Sequence, residues 1–147
     1  MAELYTSELK KRLIMFFDEL IEQFPTRPKF LLVRIYIKDK SSPESLMGMY
    51  IRDVLPYKKL IEDRNEILFM EIDALYKACF GATSRKAVEE LKNMWKKDFD
   101  DEDKQAIWDW FKLFNSLSSK YHKKFGCVPG YECDLENLQQ EINTRYY

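Results

Sequence analysis

The sequence predicts an all-α fold, one compact domain of six to eight helices, and three observations lead there. Apolar residues recur on a helical period through the long stretch Asp100 to Phe125. Ser42, Ser84 and Asp100 each stand just ahead of a periodic run, where a side-chain oxygen can cap the free amides of a helix. Only Lys29 to Lys38 (KFLLVRIYIK) has a strand-like composition, and no second run of that kind exists to pair with it.

Taken in order, a first helix is expected from about Glu3 to Gln23, with Leu9, Leu13, Phe16, Phe17 and Leu20 inward and Pro25 and Pro28 ending it. Lys29 to Lys38 is read as helix, because Pro28 suits a first helical position. Ser42, Pro43 and Glu44 combine a cap, a first-position proline and an acidic first turn, so a third helix should reach about Leu55. Pro56 ends it and opens a short turn of helix through Ile61, and a single further helix is expected over Asn65 to Cys79. Gly81 to Ser84 is a break, after which Ser84 should cap Arg85 to Lys97, with Val88, Leu91 and Trp95 inward.

The last long helix, Asp100 to Phe125, should be the central one. Its 100° plot lines up Ile107, Phe111, Phe114, Ser118, Tyr121 and Phe125, with Ala106, Trp110, Leu113 and Leu117 beside them. Leu13, Phe16, Phe17, Leu20, Leu68, Ile72, Val88, Leu91 and Trp95 are expected to pack against that face. Acidic residues open this helix, lysines close it, and Gly126 stops it. Residues 1–126 thus form the helical bundle. Residues 127–147 form a Pro-Gly turn and a short helix capped by Asp134, packing back onto it.

A chain of 147 residues with 46% hydrophobic and 15% aromatic content can bury a core without metal or disulfide help. A net charge of −1 gives no global electrostatic case for nucleic acid or an anionic membrane. No apolar run approaches the ~20 residues needed to span a bilayer. Asp18 and Glu19 interrupt the N-terminal apolar stretch, against a secretory signal, and three cysteines without a signal predict a reducing, cytoplasmic setting.

Catalytic chemistry is poorly supplied. His122 is the one histidine and sits among lysines, and no phosphate loop, HExxH pair, GxSxG elbow or dinucleotide fingerprint is present. The expectation is a non-enzyme with no cofactor. His122, Cys127, Cys133 and Asp134 can be brought together by the turn at Pro129 and Gly130, but their spacing matches no familiar zinc pattern, so no metal is expected. Cys127 and Cys133 are read as ordinary thiols, with a disulfide reserved for an oxidising space or a mature particle, and Cys79 as a core residue. The acidic run Asp98 to Asp103 lacks the EF-hand ligand pattern and is explained by helix capping.

Trp108 points about 100° away from Ile107 among polar residues. It is either a second packing surface or a hot-spot anchor for a protein partner, and with Lys112 and Tyr131 it forms the expected partner-binding set. The alternative is phosphate contact through Lys10, Lys11 and Arg12, through Lys58 and Lys59, and through Lys120, Lys123 and Lys124. These clusters lie near acids or at helix ends, so nucleic acid is the less favoured partner. The helix after Gly81 to Ser84 is too mixed in sign for a recognition helix.

Three stretches, ELKKRLIMFFDELIEQFP, VLPYKKLIEDRNEILFME and LKNMWKKDFDDEDKQAIWDWFKLFNSLSSKYHKKFG, together resemble small lysine-rich, mostly uncharacterised proteins of the nucleocytoplasmic large DNA viruses, the giant viruses. The likeness covers most of residues 3–126 and carries no functional residue. It implies a helical fold and a viral, cytoplasmic origin, with a structural or interaction role in the virion or viral factory.

Overall fold

The computed structural model covers residues 1–147 and is all-α, without a strand. Its nine α-helices are α1 (Ala2–Gln23), α2 (Pro28–Ile35), α3 (Pro43–Asp53), α4 (Lys58–Glu62), α5 (Ile67–Met70), α6 (Ala74–Cys79), α7 (Arg85–Asn93), α8 (Asp101–Phe125) and α9 (Leu135–Tyr146). Single π turns extend α2 over Tyr36–Lys40 and α7 over Met94–Asp98, and a 3-10 turn, Leu55–Tyr57, joins α3 to α4. None of the helices is long and apolar enough to cross a membrane.

Helix α8 begins as its sequence requires. The Asp100 side chain accepts from the Asp103 amide at 2.8 Å and Asp103 accepts from the Asp100 amide at 3.1 Å, a reciprocal capping box. Such a cap is worth about 1 kcal/mol. Gly126, at φ +77°, closes the other end by donating its amide to the His122 carbonyl. Ser42 and Ser84 cap α3 and α7 through the amides of Ser45 and Ala87.

Helix α1 runs antiparallel to α8: Glu19 meets Trp110 near one end and Tyr5 meets Lys124 near the other. Between them Phe16 packs edge-on against Phe111 and Phe114, with ring centroids at 5.6 and 5.7 Å, and also against Phe80. On the other flank of α8, Phe69 stacks on Trp95 at 4.1 Å, and Trp108 closes edge-on against both. Helix α9 lies over the 3-10 turn, where Gln139 donates to the Leu55 carbonyl, and Leu135 and Val128 join the same core.

Several expectations are corrected. The buried side of α8 is rotated toward Trp108 and Asn115, while Ala106 and Phe125 are exposed and Trp110, Leu113 and Leu117 are only half-buried. The short helix expected through Ile61 is α4, whereas the single helix expected over Asn65 to Cys79 is broken into α5 and α6, which raises the count to nine. Tyr76 Oη takes the Phe69 carbonyl at 2.5 Å, an acceptor that a continuous helix would have used. Helix α7 stops at Asn93, and its expected last residues form a π turn instead. Asp134 precedes α9 but makes no side-chain cap.

One ion pair lies deep enough to matter to stability. Lys92, buried on α7, donates to Asp73 at 2.6 Å, and this hydrogen bond, with the charges of Lys92, Arg85 and Lys77, holds the Asp73 carboxyl below its ordinary value. Because the folded value is the lower one, the stabilisation is complete above the ordinary carboxylate range and is lost as pH falls through the folded value. Asp73→Asn leaves Lys92 without its closest carboxylate and is expected to cost about 1–3 kcal/mol, short of the full buried-pair penalty because Asp73 is partly solvated. Urea unfolding should show this gap near neutrality and a markedly smaller one in acid; a gap independent of pH would exclude the pair as its source.

Candidate protein-docking surface

Helix α2 is apolar almost all round. A helix half sunk in a core shows one apolar stripe and a polar back, yet here the residues PKFLLVRI and the following Tyr36 and Ile37 put hydrophobic side chains on both sides. Phe30 and Ile37 form the inner line, with Phe30 against Phe17, Phe24 and Phe80. Arg34 reaches back to Asp18 of α1 in an ion pair at 2.5 Å. Turned away from that line are Leu31, Leu32, Ile35 and Tyr36, which are 47%, 64%, 42% and 62% exposed. On a 100° plot these four fall within one band opposite Phe30, with Leu31 over Ile35 and Leu32 over Tyr36 at i,i+4 spacing.

Exposed Lys38, Asp39 and Lys40 border this face where the chain leaves the helix. Ser41 Oγ donates to the Tyr36 carbonyl there and Lys10 donates to the Ser41 carbonyl at 2.8 Å, so the end of α2 is fixed from α1. The result is a contiguous apolar helix face, polar at its rim, an arrangement that suits a protein partner.

The residues singled out from sequence are dispersed. Trp108 is 2% exposed and fully occupied by Phe69 and Trp95, which corrects its reading as a partner anchor and makes it the second packing surface. The polar neighbours that suggested exposure find their own solvent: Gln105 and Asp109 meet Arg64 at the surface beside it. The tryptophan that reaches solvent on α8 is Trp110, which donates to Glu19 at 2.6 Å beside a cleft of about 310 Å³ between α1 and α8.

Tyr131 is half-buried and serves the fold, lying on Gly48 of α3 with the Arg52 guanidinium 5.2 Å from its ring centre. Lys112 is half-exposed in a separate groove of about 450 Å³ between α4 and α8, with Lys58, Glu62, Ser116, Ser119 and Lys120. Asn115 also lines that groove; its Oδ1 accepts from Tyr50 and its buried Nδ2 has no partner.

Of the other basic candidates, Lys10 is engaged with Ser41, Arg12 with Glu8, and Lys124 with the Tyr5 ring, leaving Lys11 and Lys123 as exposed cations. Lys59, on α4, lies 4.4 Å from the Tyr147 ring centre.

The sulfur chemistry also departs from expectation. Cys127 and Cys133 are joined as a disulfide across the turn, where two free thiols were expected. Their sequence separation of six residues, with Gly130 at φ +87° between them, lets the chain double back far enough for the bond. Cys79 is free and buried in the core, where burial pushes its thiol up to about 12, so it is inert as a nucleophile at neutral pH.

The α2 face itself was missed from sequence, although a signal was present. The same run that raised the question of helix or strand has too many apolar residues for a one-sided helix. No known family, curated protein or solved structure matches this chain.

The seat of Tyr131 is testable. A Cβ added to Gly48 would stand 2.5 Å from Tyr131 Cγ and 2.9 Å from its Cβ, too close for the ring to slide aside. Gly48→Ala is expected to destabilise the protein by about 1–3 kcal/mol, the range for overpacking. Adding Tyr131→Ala should relieve most of the extra cost, a coupling readable in a denaturant double-mutant cycle. Strict additivity would refute the contact.

Proposed function

We propose that this protein is a non-enzymatic interaction module whose docking surface is the outer face of α2. One observation carries the reading: Leu31, Leu32, Ile35 and Tyr36 stand in solvent on a helix whose inner line already holds it to the core. Apolar surface of this kind gains roughly 25 cal/mol per Å² when a partner covers it. The partner is a protein with a complementary apolar groove or helix. In support of a non-enzymatic role, the protein's free thiol is buried and its thiol pKa raised, and its one histidine lies beside the disulfide. The likeness to giant-virus proteins is what suggests a virion or viral-factory component in the host cytoplasm, and the Cys127–Cys133 bond favours the mature particle over a reducing cytosol.

A second reading is favoured by the α4/α8 groove. Lys58, Lys112 and Lys120 line it without a hydrophobic neighbour, with Ser116 and Ser119 hydroxyls and the unpaired Asn115 amide. That donor set suits phosphate, as in a nucleic-acid-associated accessory factor for viral transcription or packaging. Lys58 is partly answered by Glu62 at 3.8 Å, which weakens this reading against the first.

Capture of the tagged protein from the cells that make it, with and without nuclease, separates the two. Leu32→Asp changes a side chain that is 64% exposed and should leave the thermal midpoint within a few degrees of wild type. The expected outcome is recovery of a small set of proteins that resists nuclease and survives salt but is lost with Leu32→Asp. Recovery unchanged by Leu32→Asp would refute the α2 face. Steep weakening with salt, together with loss on Lys112→Ala/Lys120→Ala, would support the groove instead.

A further inference from the structure

Three donor atoms converge at the C-terminal end of α8. The His122 imidazole, Cys127 Sγ and Cys133 Sγ all lie within 4.8 Å of one another, each half-buried. We propose that, once the disulfide is reduced, these three side chains bind a soft divalent cation of the zinc class, leaving one coordination position to solvent. Imidazole and thiolate are the donors zinc favours, and a tetrahedral site with Zn–S near 2.3 Å and Zn–N near 2.0–2.1 Å requires them only a few ångströms apart.

The convergence does not depend on the sulfur–sulfur bond, because other contacts hold both ends of the loop. His122 sits in the last turn of α8, where its carbonyl accepts from the Gly126 amide at 2.8 Å. Val128, one residue beyond Cys127, is buried in the core, and its carbonyl accepts from the Tyr131 amide at 2.8 Å to close the turn. Tyr131 is seated on Gly48 under Arg52, and Leu135, two residues beyond Cys133, is buried at the start of α9. Breaking the bond therefore leaves two half-buried thiols beside a half-buried imidazole. The helix ends with its negative dipole and Glu132 and Asp134 flank Cys133, which favour a cation, while exposed Lys120 and Lys123 on either side of His122 oppose one. Lys124 is drawn away toward Tyr5.

The chemistry balances with a dithiol reductant. The Cys127–Cys133 bond accepts two electrons and two protons and becomes two thiols, while the dithiol becomes its own disulfide. Metal binding then forms two metal–sulfur bonds and one metal–nitrogen bond and releases the two thiol protons to buffer. The two states exclude each other, since sulfurs bonded to one another offer no thiolate.

Co(II) titration of the full-length protein is the test, run before and after reduction with a phosphine that is then removed under nitrogen. Reduced wild type should give a thiolate-to-cobalt charge-transfer band and tetrahedral visible bands that saturate at a single ion per chain and vanish when zinc is added. The unreduced protein should give neither, a comparison that needs no variant. His122→Ala should weaken Co(II) binding about tenfold or more, judged by the effect of disturbing even outer-shell partners, with the helical circular dichroism retained. His122→Gln repeats the test should the alanine variant be unstable. Cys79→Ser should bind as wild type does. The proposal is overturned if reduced wild type shows no charge-transfer band, if the band survives Cys127→Ser/Cys133→Ser, or if both His122 variants bind as tightly as wild type.

Discussion

Aromatic packing on both flanks of α8 is the constraint on which the rest of this structure depends. On one side Phe16 of α1 sets its edge against Phe111 and Phe114, and on the other the stacked pair Phe69 and Trp95 receives Trp108. Each such side chain buries roughly 150–250 Å², so a few of them outweigh any other single source of stability here. Phe80, between α6 and α7, closes the ring by packing against Phe16 and Phe17 of α1. Short helices such as α5, too brief to persist alone, are tolerated because tertiary contacts hold them.

What was legible in the sequence follows from which interactions are local. The start of α8 depends on Asp100 and Asp103, three residues apart, and its end on Gly126, so both boundaries could be read directly. The Ser42 and Ser84 caps were legible for the same reason. The break between α5 and α6 was not. Residues Leu68, Phe69, Ile72, Leu75 and Tyr76 keep a helical period through it, while in the broken backbone the Phe69 carbonyl accepts from the Tyr76 hydroxyl. Periodicity records which side chains are buried and is silent about which backbone acceptors are taken.

Trp108 teaches a related lesson. A helical plot assumes one buried face flanked by symmetric borders, and the large cluster on the α1 side of α8 drew the centre of that face toward Trp110 and Ala106. The second cluster, around Phe69 and Trp95, pulls the opposite border inward and leaves Ala106 in solvent. A helix contacted from two directions buries a wider arc than any one-sided plot will assign, and only the three-dimensional arrangement shows which border is used. The sulfur pair differs, because the local turn at Pro129 and Gly130 that brings it together was legible, and Val128, Tyr131 and Leu135 tie that turn to the bundle.

The α2 face is the converse case, an arc the fold leaves uncovered. Phe30 and Ile37 seat the helix, and Arg34 ties it to Asp18, so its position is secured without Leu31, Leu32, Ile35 or Tyr36. Each of the four leaves 42–64% of its surface in water, so much of its apolar area does nothing for the stability of the free chain. Scattered apolar residues on a surface need no explanation, but four on one face of one short helix, rimmed by charge, are a coherent feature. The π turn that ends α2 carries the chain from Tyr36 on this face to Ile37 in the core. Folding thus accounts for the inner side of α2, and the outer side is the part that the proposed docking role would explain.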